Sequence, residues 1–106
     1  MKNVVDFKKQ KGLIPVIIQD TITNEVLMLA YMNKDAWTKT IQTRTVYFWS
    51  RSRKEFWLKG KNSGNKLRVK KIYLDCDKDA ILIKVLFGGK TVCHLEKGKS
   101  CFYIFS

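Results

Sequence analysis

The chain has 106 residues, 45% of them hydrophobic and a single one proline. This composition excludes disorder and fits one domain, which at such a length buries roughly two-thirds of its unfolded surface and needs no disulfide staples. A formal charge of +12, from 21 Lys and Arg against 9 Asp and Glu, predicts anionic partners without saying which.

Residues 1–12 set Lys2, Lys8, Lys9 and Lys11 around Val4, Val5 and Phe7 and end at Gly12, which reads as a mobile or loosely docked lead-in. No apolar signal-peptide core is present there, and three cysteines cannot all pair within one chain, so the expected location is the reducing cytoplasm. Leu13 to Gln19 is apolar and β-branched, with Pro15 near its start where a strand tolerates it. Asp20 to Glu25 has turn chemistry, and Val26 to Met32 follows as the second strand of a hairpin. That apolar run is also the longest in the chain and is far too short to span a membrane.

Asn33 fits a helix N-cap, with Asp35 in the first turn and Ala36, Trp37, Thr40 and Ile41 at helical spacing, so a helix over about 34–43 should cover one face of the sheet. Thr45 to Trp49 reads as a third strand. From Ser50 to Asn65 the chain becomes a polar, basic, turn-rich loop held by a brief apolar anchor at Phe56, Trp57 and Leu58, with Phe48 and Trp57 expected in the core. Nine basic residues fall between Arg51 and Lys71, where Glu55 is the only acid. Lys66 to Leu74 and Ile81 to Phe87 are further strands, Gly88-Gly89 breaks the chain, and Phe102 to Phe105 is a closing strand. Strands outnumber helices, which predicts an α+β fold: a compact, mainly antiparallel sheet with one short covering helix.

The polar centre of this pattern is Asp75-Cys76-Asp77-Lys78-Asp79, set between two strands. In an extended segment Asp75, Asp77 and Asp79 would share one side and Cys76 the other. Hard carboxylate oxygens suit Mg²⁺ or Ca²⁺ and a thiolate suits Zn²⁺, so the alternation points to two metals; an acidic hairpin turn carrying a buried cysteine accounts for the same residues. Cys76, Cys93 and Cys101 could give a tetrahedral zinc site with one open position, or could be small buried hydrophobes. Arg51 and Arg53 can each grip a phosphate through paired hydrogen bonds, with Ser52, Ser63, Gly64 and Asn65 adding donors. With Tyr47, Phe48, Trp49 and Trp57 the same loop could present charge and stacking platforms to nucleic acid. Clustered carboxylates repel a polyanion, which favours a phosphorylated small molecule held through Mg²⁺.

Several stretches, in order, resemble the phosphoribosyl-AMP cyclohydrolase family of histidine biosynthesis. They are Gly12-Leu13-Ile14-Pro15, Glu25 to Asn33, Phe48-Trp49-Ser50-Arg51-Ser52-Arg53, Trp57-Leu58-Lys59-Gly60, Ser63-Gly64-Asn65, Leu74-Asp75-Cys76-Asp77, Cys93-His94 and Ser100-Cys101-Phe102-Tyr103. The resemblance runs from about Asp6 to Tyr103 and implies a single cyclohydrolase domain over residues 1–106, without the pyrophosphohydrolase domain fused to it in some relatives. It implies an intertwined homodimer with zinc held by Cys76 of one subunit and Cys93 and Cys101 of the other, and with Mg²⁺ on Asp75, Asp77 and Asp79. The implied reaction is hydrolysis of the adenine ring of phosphoribosyl-AMP between N1 and C6 by zinc-activated water, with His94 as the acid–base group. Trp49, Arg51, Ser52, Arg53, Lys59, Ser63, Gly64 and Asn65 would bind the substrate. Neither nucleic acid nor membrane is an expected partner.

The chain departs from the family pattern in having seven residues between Cys93 and Cys101 instead of six, Leu95-Glu96 in place of Thr-Gly, and Asn62 in place of Thr. Two other readings of the same residues are a zinc-dependent nucleotide deaminase, which would release ammonia, and a basic nucleic-acid-binding module, which would ignore chelators.

Overall fold

Alternation of buried and exposed residues sets the frame of the computed structural model, which describes residues 5–8, 11–58, 66–87 and 99–106. In chain order its elements are β1 (Ile14–Asp20), β2 (Val26–Met32), α1 (Lys34–Thr43), β3 (Tyr47–Ser50), β4 (Glu55–Leu58), β5 (Leu67–Leu74) and β6 (Ile81–Phe87). A four-stranded sheet runs in the order β2-β1-β6-β5, and β3 and β4 form a separate hairpin. β1 pairs antiparallel with β2, and β5 with β6, whereas the central β1–β6 contact is parallel. The α+β class and the mainly antiparallel sheet are as expected.

Ile14, Val16 and Ile18 of β1 point inward, while Pro15, Ile17 and Gln19 point outward. Pairing with β6 begins at Val16, so the N–H that Pro15 lacks falls outside that ladder. Between Ile18 and Gln19 the β1–β2 register slips by one, so that Leu27 and Met28, adjacent in sequence, are both buried. A second slip, between Val69 and Lys71, leaves Lys70 and Lys71 both in solvent.

α1 starts where its sequence predicts, with the Asn33 side chain accepting from the Ala36 N–H at 2.8 Å. Arg44 ends it in the left-handed region and donates its N–H to the Thr40 carbonyl. Thr40 is fully buried; its Oγ1 donates to the Ala36 carbonyl at 2.9 Å and accepts from the Tyr47 N–H at 3.0 Å, clipping the helix to β3. Phe48 is buried and packs on Trp57 with ring centroids 4.8 Å apart.

Two sequence expectations change, and of the two readings of the lead-in the docked one holds. The stretch read as the loop from Ser50 to Asn65 contains β4, because the Phe56-Trp57-Leu58 anchor pairs with Tyr47, Phe48 and Trp49 of β3. The lead-in is docked over part of its length: Val5 is buried and the Asp6 N–H donates to the Lys78 carbonyl at 2.7 Å. Phe102 to Phe105 forms no strand, since β-prone residues need a neighbouring edge to pair with and these side chains lie in solvent. Among the described residues, no helix is long and apolar enough to cross a membrane.

Replacing Asn33 by Ala removes the N-cap, and the expected cost is about 1 kcal/mol. In a domain of this size that lowers the melting temperature by about 4–8 °C. Thermal denaturation followed by circular dichroism checks this, with the native spectrum unchanged.

Candidate functional site

The β5–β6 connection is a turn, which overturns the extended geometry expected for Asp75 to Asp79. The Asp75 N–H bonds the Ala80 carbonyl at 3.0 Å, the Lys78 N–H bonds the Asp75 carbonyl at 2.9 Å, and Lys78 adopts a φ of 62°. The Asp75 carboxylate also accepts from the Asp77 N–H at 3.3 Å. Faces do not alternate in a turn, so Cys76 stands with its neighbours and not opposite them. One ligand atom from each of Asp75, Cys76 and Asp77 lies within 4.8 Å of the others, and all three residues are exposed. Cys76 is therefore not a buried hydrophobe. Asp79 is half-buried in the same turn and stands outside that trio.

The tip of the β3–β4 hairpin carries Arg51, Ser52 and Arg53 in solvent. Ser50 organises it: its carbonyl accepts the Lys54 N–H at 2.9 Å and its Oγ accepts the Arg53 N–H at 3.2 Å. The Arg51 guanidinium sits 4.2 Å from the centre of the Tyr31 ring, a cation–π contact that holds its charge over the end of β2. Arg53 lies 4.0 Å from Glu55, but both side chains are largely exposed and such a pair contributes little. Trp49 is half-buried and meets Phe56 edge-to-face, with centroids 5.6 Å apart.

Register places these groups at one end of the sheet. Tyr31 faces Pro15, the next position of β1 is Val16, and Val16 pairs with Ile81 immediately after the acidic turn. Arg51 and the Asp75–Cys76–Asp77 group thus share that end.

Cys101 lies at the other end. Its N–H donates to the Leu27 carbonyl at 2.7 Å, and the Ser100 Oγ donates to the Val26 carbonyl at 2.7 Å, so the segment is pinned to the start of β2 at the β2 bulge. Lys99 completes the anchor by pairing with Asp20, whose side chain is 7% exposed, and with Glu25 at 3.7 Å. The strands between Cys76 and Cys101, at spacings of about 4.8 Å and rises of about 3.3 Å per residue, separate them by on the order of 20 Å. Cys93, His94, Lys59, Ser63, Gly64 and Asn65 lie outside the described residues.

Tyr31, Asp20 and Lys99 were missed by the sequence reading. The Asp20–Lys99 pair spans 79 positions, and no local pattern marks it. A cationic residue stacked on a β2 tyrosine likewise leaves no trace in spacing.

A family model for phosphoribosyl-AMP cyclohydrolase matches residues 28–103. The chain belongs to the phosphoribosyl-AMP cyclohydrolase family. It is 59% identical over 99 residues to the Clostridium botulinum (strain 657 / Type Ba4) phosphoribosyl-AMP cyclohydrolase, covering 93% of this chain and 88% of that protein. The family member from Listeria innocua is 52% identical over 95% of this chain and 92% of its own. The one from Geobacter sulfurreducens is 47% identical over 94% and 79%.

Lys99, hydrogen-bonded and oppositely charged, holds the Asp20 carboxyl below its ordinary value near 3.8, with help from the Ile22 N–H and against the opposing effect of burial. Its stabilising effect is present above that ordinary value and is lost as pH falls through the lowered folded value. Lys99 shifts the opposite way, upward from 10.5 through its bond to Asp20, so its effect is present below 10.5 and fades as pH rises through the raised value. Asp20→Asn should melt earlier than the parent at pH 7, and the gap should close on acidification below pH 3.8. Melting curves of both proteins across that range check the sign.

Proposed function

We propose that this chain opens the adenine ring of 1-(5-phosphoribosyl)-AMP by hydrolysis of the N1–C6 bond, the ring-opening step of histidine biosynthesis. Near-full-length similarity to proteins named phosphoribosyl-AMP cyclohydrolase is the observation that carries this reading. The clustering of Asp75, Cys76 and Asp77 at the same end of the sheet as Arg51 supports it.

The substrate carries two phosphates, and its N1 bears a ribosyl group that draws electrons from the ring and makes C6 susceptible to water. Oxygen adds to C6 as one proton of water passes to the exocyclic imino nitrogen; the N1–C6 bond then breaks with its electron pair on N1, the second water proton ends on N1, and C6 is left as the carboxamide. The product is the phosphoribosylformimino-aminoimidazole carboxamide ribotide. His94, whose imidazole can both take and give a proton, suits both proton movements. Arg51, already oriented by Tyr31, and Ser52 and Arg53 beside it present donors to a phosphate, with Lys59, Ser63, Gly64 and Asn65 adding to the same role. Trp49 offers a flat apolar wall for the base.

The donor set fits two metals. Cys76, Cys93 and Cys101 are soft ligands suited to Zn²⁺, while Asp75 and Asp77, with Asp79 in the same turn, are hard oxygens suited to Mg²⁺. Zinc, when bound, would supply a Lewis acid that acidifies water for the attack. Since Cys76 and Cys101 sit at opposite corners of one sheet, we place each zinc between Cys76 of one subunit and Cys93 and Cys101 of a second. A symmetric homodimer then carries two equal sites.

Incubation with phosphoribosyl-AMP, zinc and Mg²⁺ should remove the adenine ultraviolet band without release of ammonia. Chelation should stop turnover, and metal should restore it. Ammonia release would replace this reading with deamination.

Arg51→Ala removes a charge-assisted phosphate contact worth about 1.5–3 kcal/mol, so KM should rise roughly 10- to 100-fold with a smaller change in kcat. Steady-state kinetics at fixed ionic strength checks that split.

Cys76→Ala and Cys101→Ala should each be inactive alone. Mixed and allowed to exchange, they should recover about one quarter of parental activity, because about half the dimers are mixed and each mixed dimer keeps one intact site. Exchange without recovery would rule out a shared site.

A further inference from the structure

Phe102, Tyr103, Ile104 and Phe105 are 56%, 85%, 89% and 95% exposed. Four consecutive large apolar residues in water are out of place on an isolated soluble domain and mark a contact surface. A groove of about 450 Å³ on the same chain lies between α1 and β5 and is lined by Trp37, Ile41, Ile72, Tyr73 and Leu74. Among the described residues its lining carries no ionised group, which unfits it for a doubly phosphorylated substrate. β5 is an edge strand, and among the described residues its outer edge meets only residues 44–46, which bond the chain at Leu67 and Val69. Among the described residues nothing bonds the outer backbone edge of β5 beyond Val69, which runs beside the groove.

We propose that Phe102–Phe105 of each chain docks into this groove on a second copy, adding a short antiparallel strand to the outer edge of β5. The segment cannot fill the groove of its own chain. Its root at Cys101 is bonded to β2, and β5 lies three strand spacings away, about 14 Å before any detour around the molecule, whereas four extended residues span only about 13 Å.

In a second copy the distances agree. The position of the contact rests on the shared-zinc reading above: with Cys101 beside Cys76 of the partner subunit, Phe102 begins at the end of β5, and the groove residues Ile72 to Leu74 are two to four positions from Cys76. A segment leaving that turn along β5 runs opposite to β5, hence antiparallel. Backbone bonds to this outer edge would provide affinity, and alternate side chains of the segment would enter the groove while the others cover its rim.

Photo-crosslinking from Phe105→p-benzoylphenylalanine tests the contact directly. The expected product has twice the chain mass, with the adduct within 37–41 or 72–74 of the second chain. An adduct within one chain, or elsewhere on the second, overturns the proposal. Sedimentation equilibrium of a chain ending at Cys101, and of Ile104→Asp in case the truncation misfolds, should show the dimer dissociation constant raised by about tenfold or more. A native-strength dimer from either folded variant also overturns it.

Zinc content of the same samples separates the two readings. A zinc-free dimer crosslinked in the groove keeps the docking contact and removes the shared metal. A zinc-loaded dimer crosslinked elsewhere does the reverse.

Discussion

Five consecutive residue pairs, Val16 to Asp20 against Ile81 to Val85, hold this molecule together. Without them the four-stranded sheet would be two separate hairpins, β1–β2 and β5–β6, each with one apolar face and too small to be stable alone. The contact is parallel and closes a loop of more than sixty residues, so its entropic cost must be offset by the burial of Val16, Ile18, Ile81, Ile83 and Val85 on the inner face. Its direction also decides where the chemistry goes. In a parallel pair both strands start at the same end, so the turn that precedes β6 emerges beside the start of β1 and the end of β2. Asp75, Cys76 and Asp77 therefore lie at the same end of the sheet as Arg51 and Tyr31, while Cys101, fixed at the start of β2, is left at the far end.

What was legible in the sequence follows from range. The helix from Lys34 to Thr43 could be read because its cap, first-turn acid and apolar spacing lie within ten residues. Both outer hairpins could be read because turn chemistry at Asp20 to Glu25 and Asp75 to Asp79 interrupts alternating strands. β4 could not: Phe56, Trp57 and Leu58 are too few to show a period, and they become a strand only through the β3 residues they face. The Asp75–Asp79 geometry failed for a related reason, since alternation of faces holds only while the backbone is extended and Lys78 turns it. The Asp20–Lys99 anchor depends on two parts of the chain that meet only after the sheet has formed. Of the candidate ligands, residue type identified Cys76 and Cys101 as possible partners, but only the fold could reveal that they stand at opposite corners.

Charge has a divided role in this arrangement. Among the described residues most Lys and Arg side chains are exposed, and their charge is screened over about 8–10 Å at ordinary ionic strength, so it steers anions toward the molecule without holding them in one orientation. Arg51, at the site end of the sheet, is restricted by Tyr31 before any ligand arrives, which reduces the entropy lost on binding. The carboxylates of Asp75 and Asp77 supply the opposing sign. A phosphate approaching Arg51 at this end also meets negative charge unless a cation bridges the two, which is the role the proposed Mg²⁺ would have there.

Separation of the ligands has a consequence for assembly. In the proposed dimer, zinc would bind a site shared between two chains, so metal would favour the dimer by mass action, and each bound ion would add its binding free energy to association. The converse also holds: anything that strengthens the dimer brings Cys101 closer to Cys76 of the partner subunit and raises zinc affinity. The Phe102–Phe105 contact would act in that way, since it follows Cys101 directly and would fix the ligand from one side while Ser100 and Lys99 fix it from the other. Apolar docking and metal ligation would then reinforce each other at both ends of the dimer. Loss of either would appear as weaker binding of the other, a reciprocity that two independent contacts would not show.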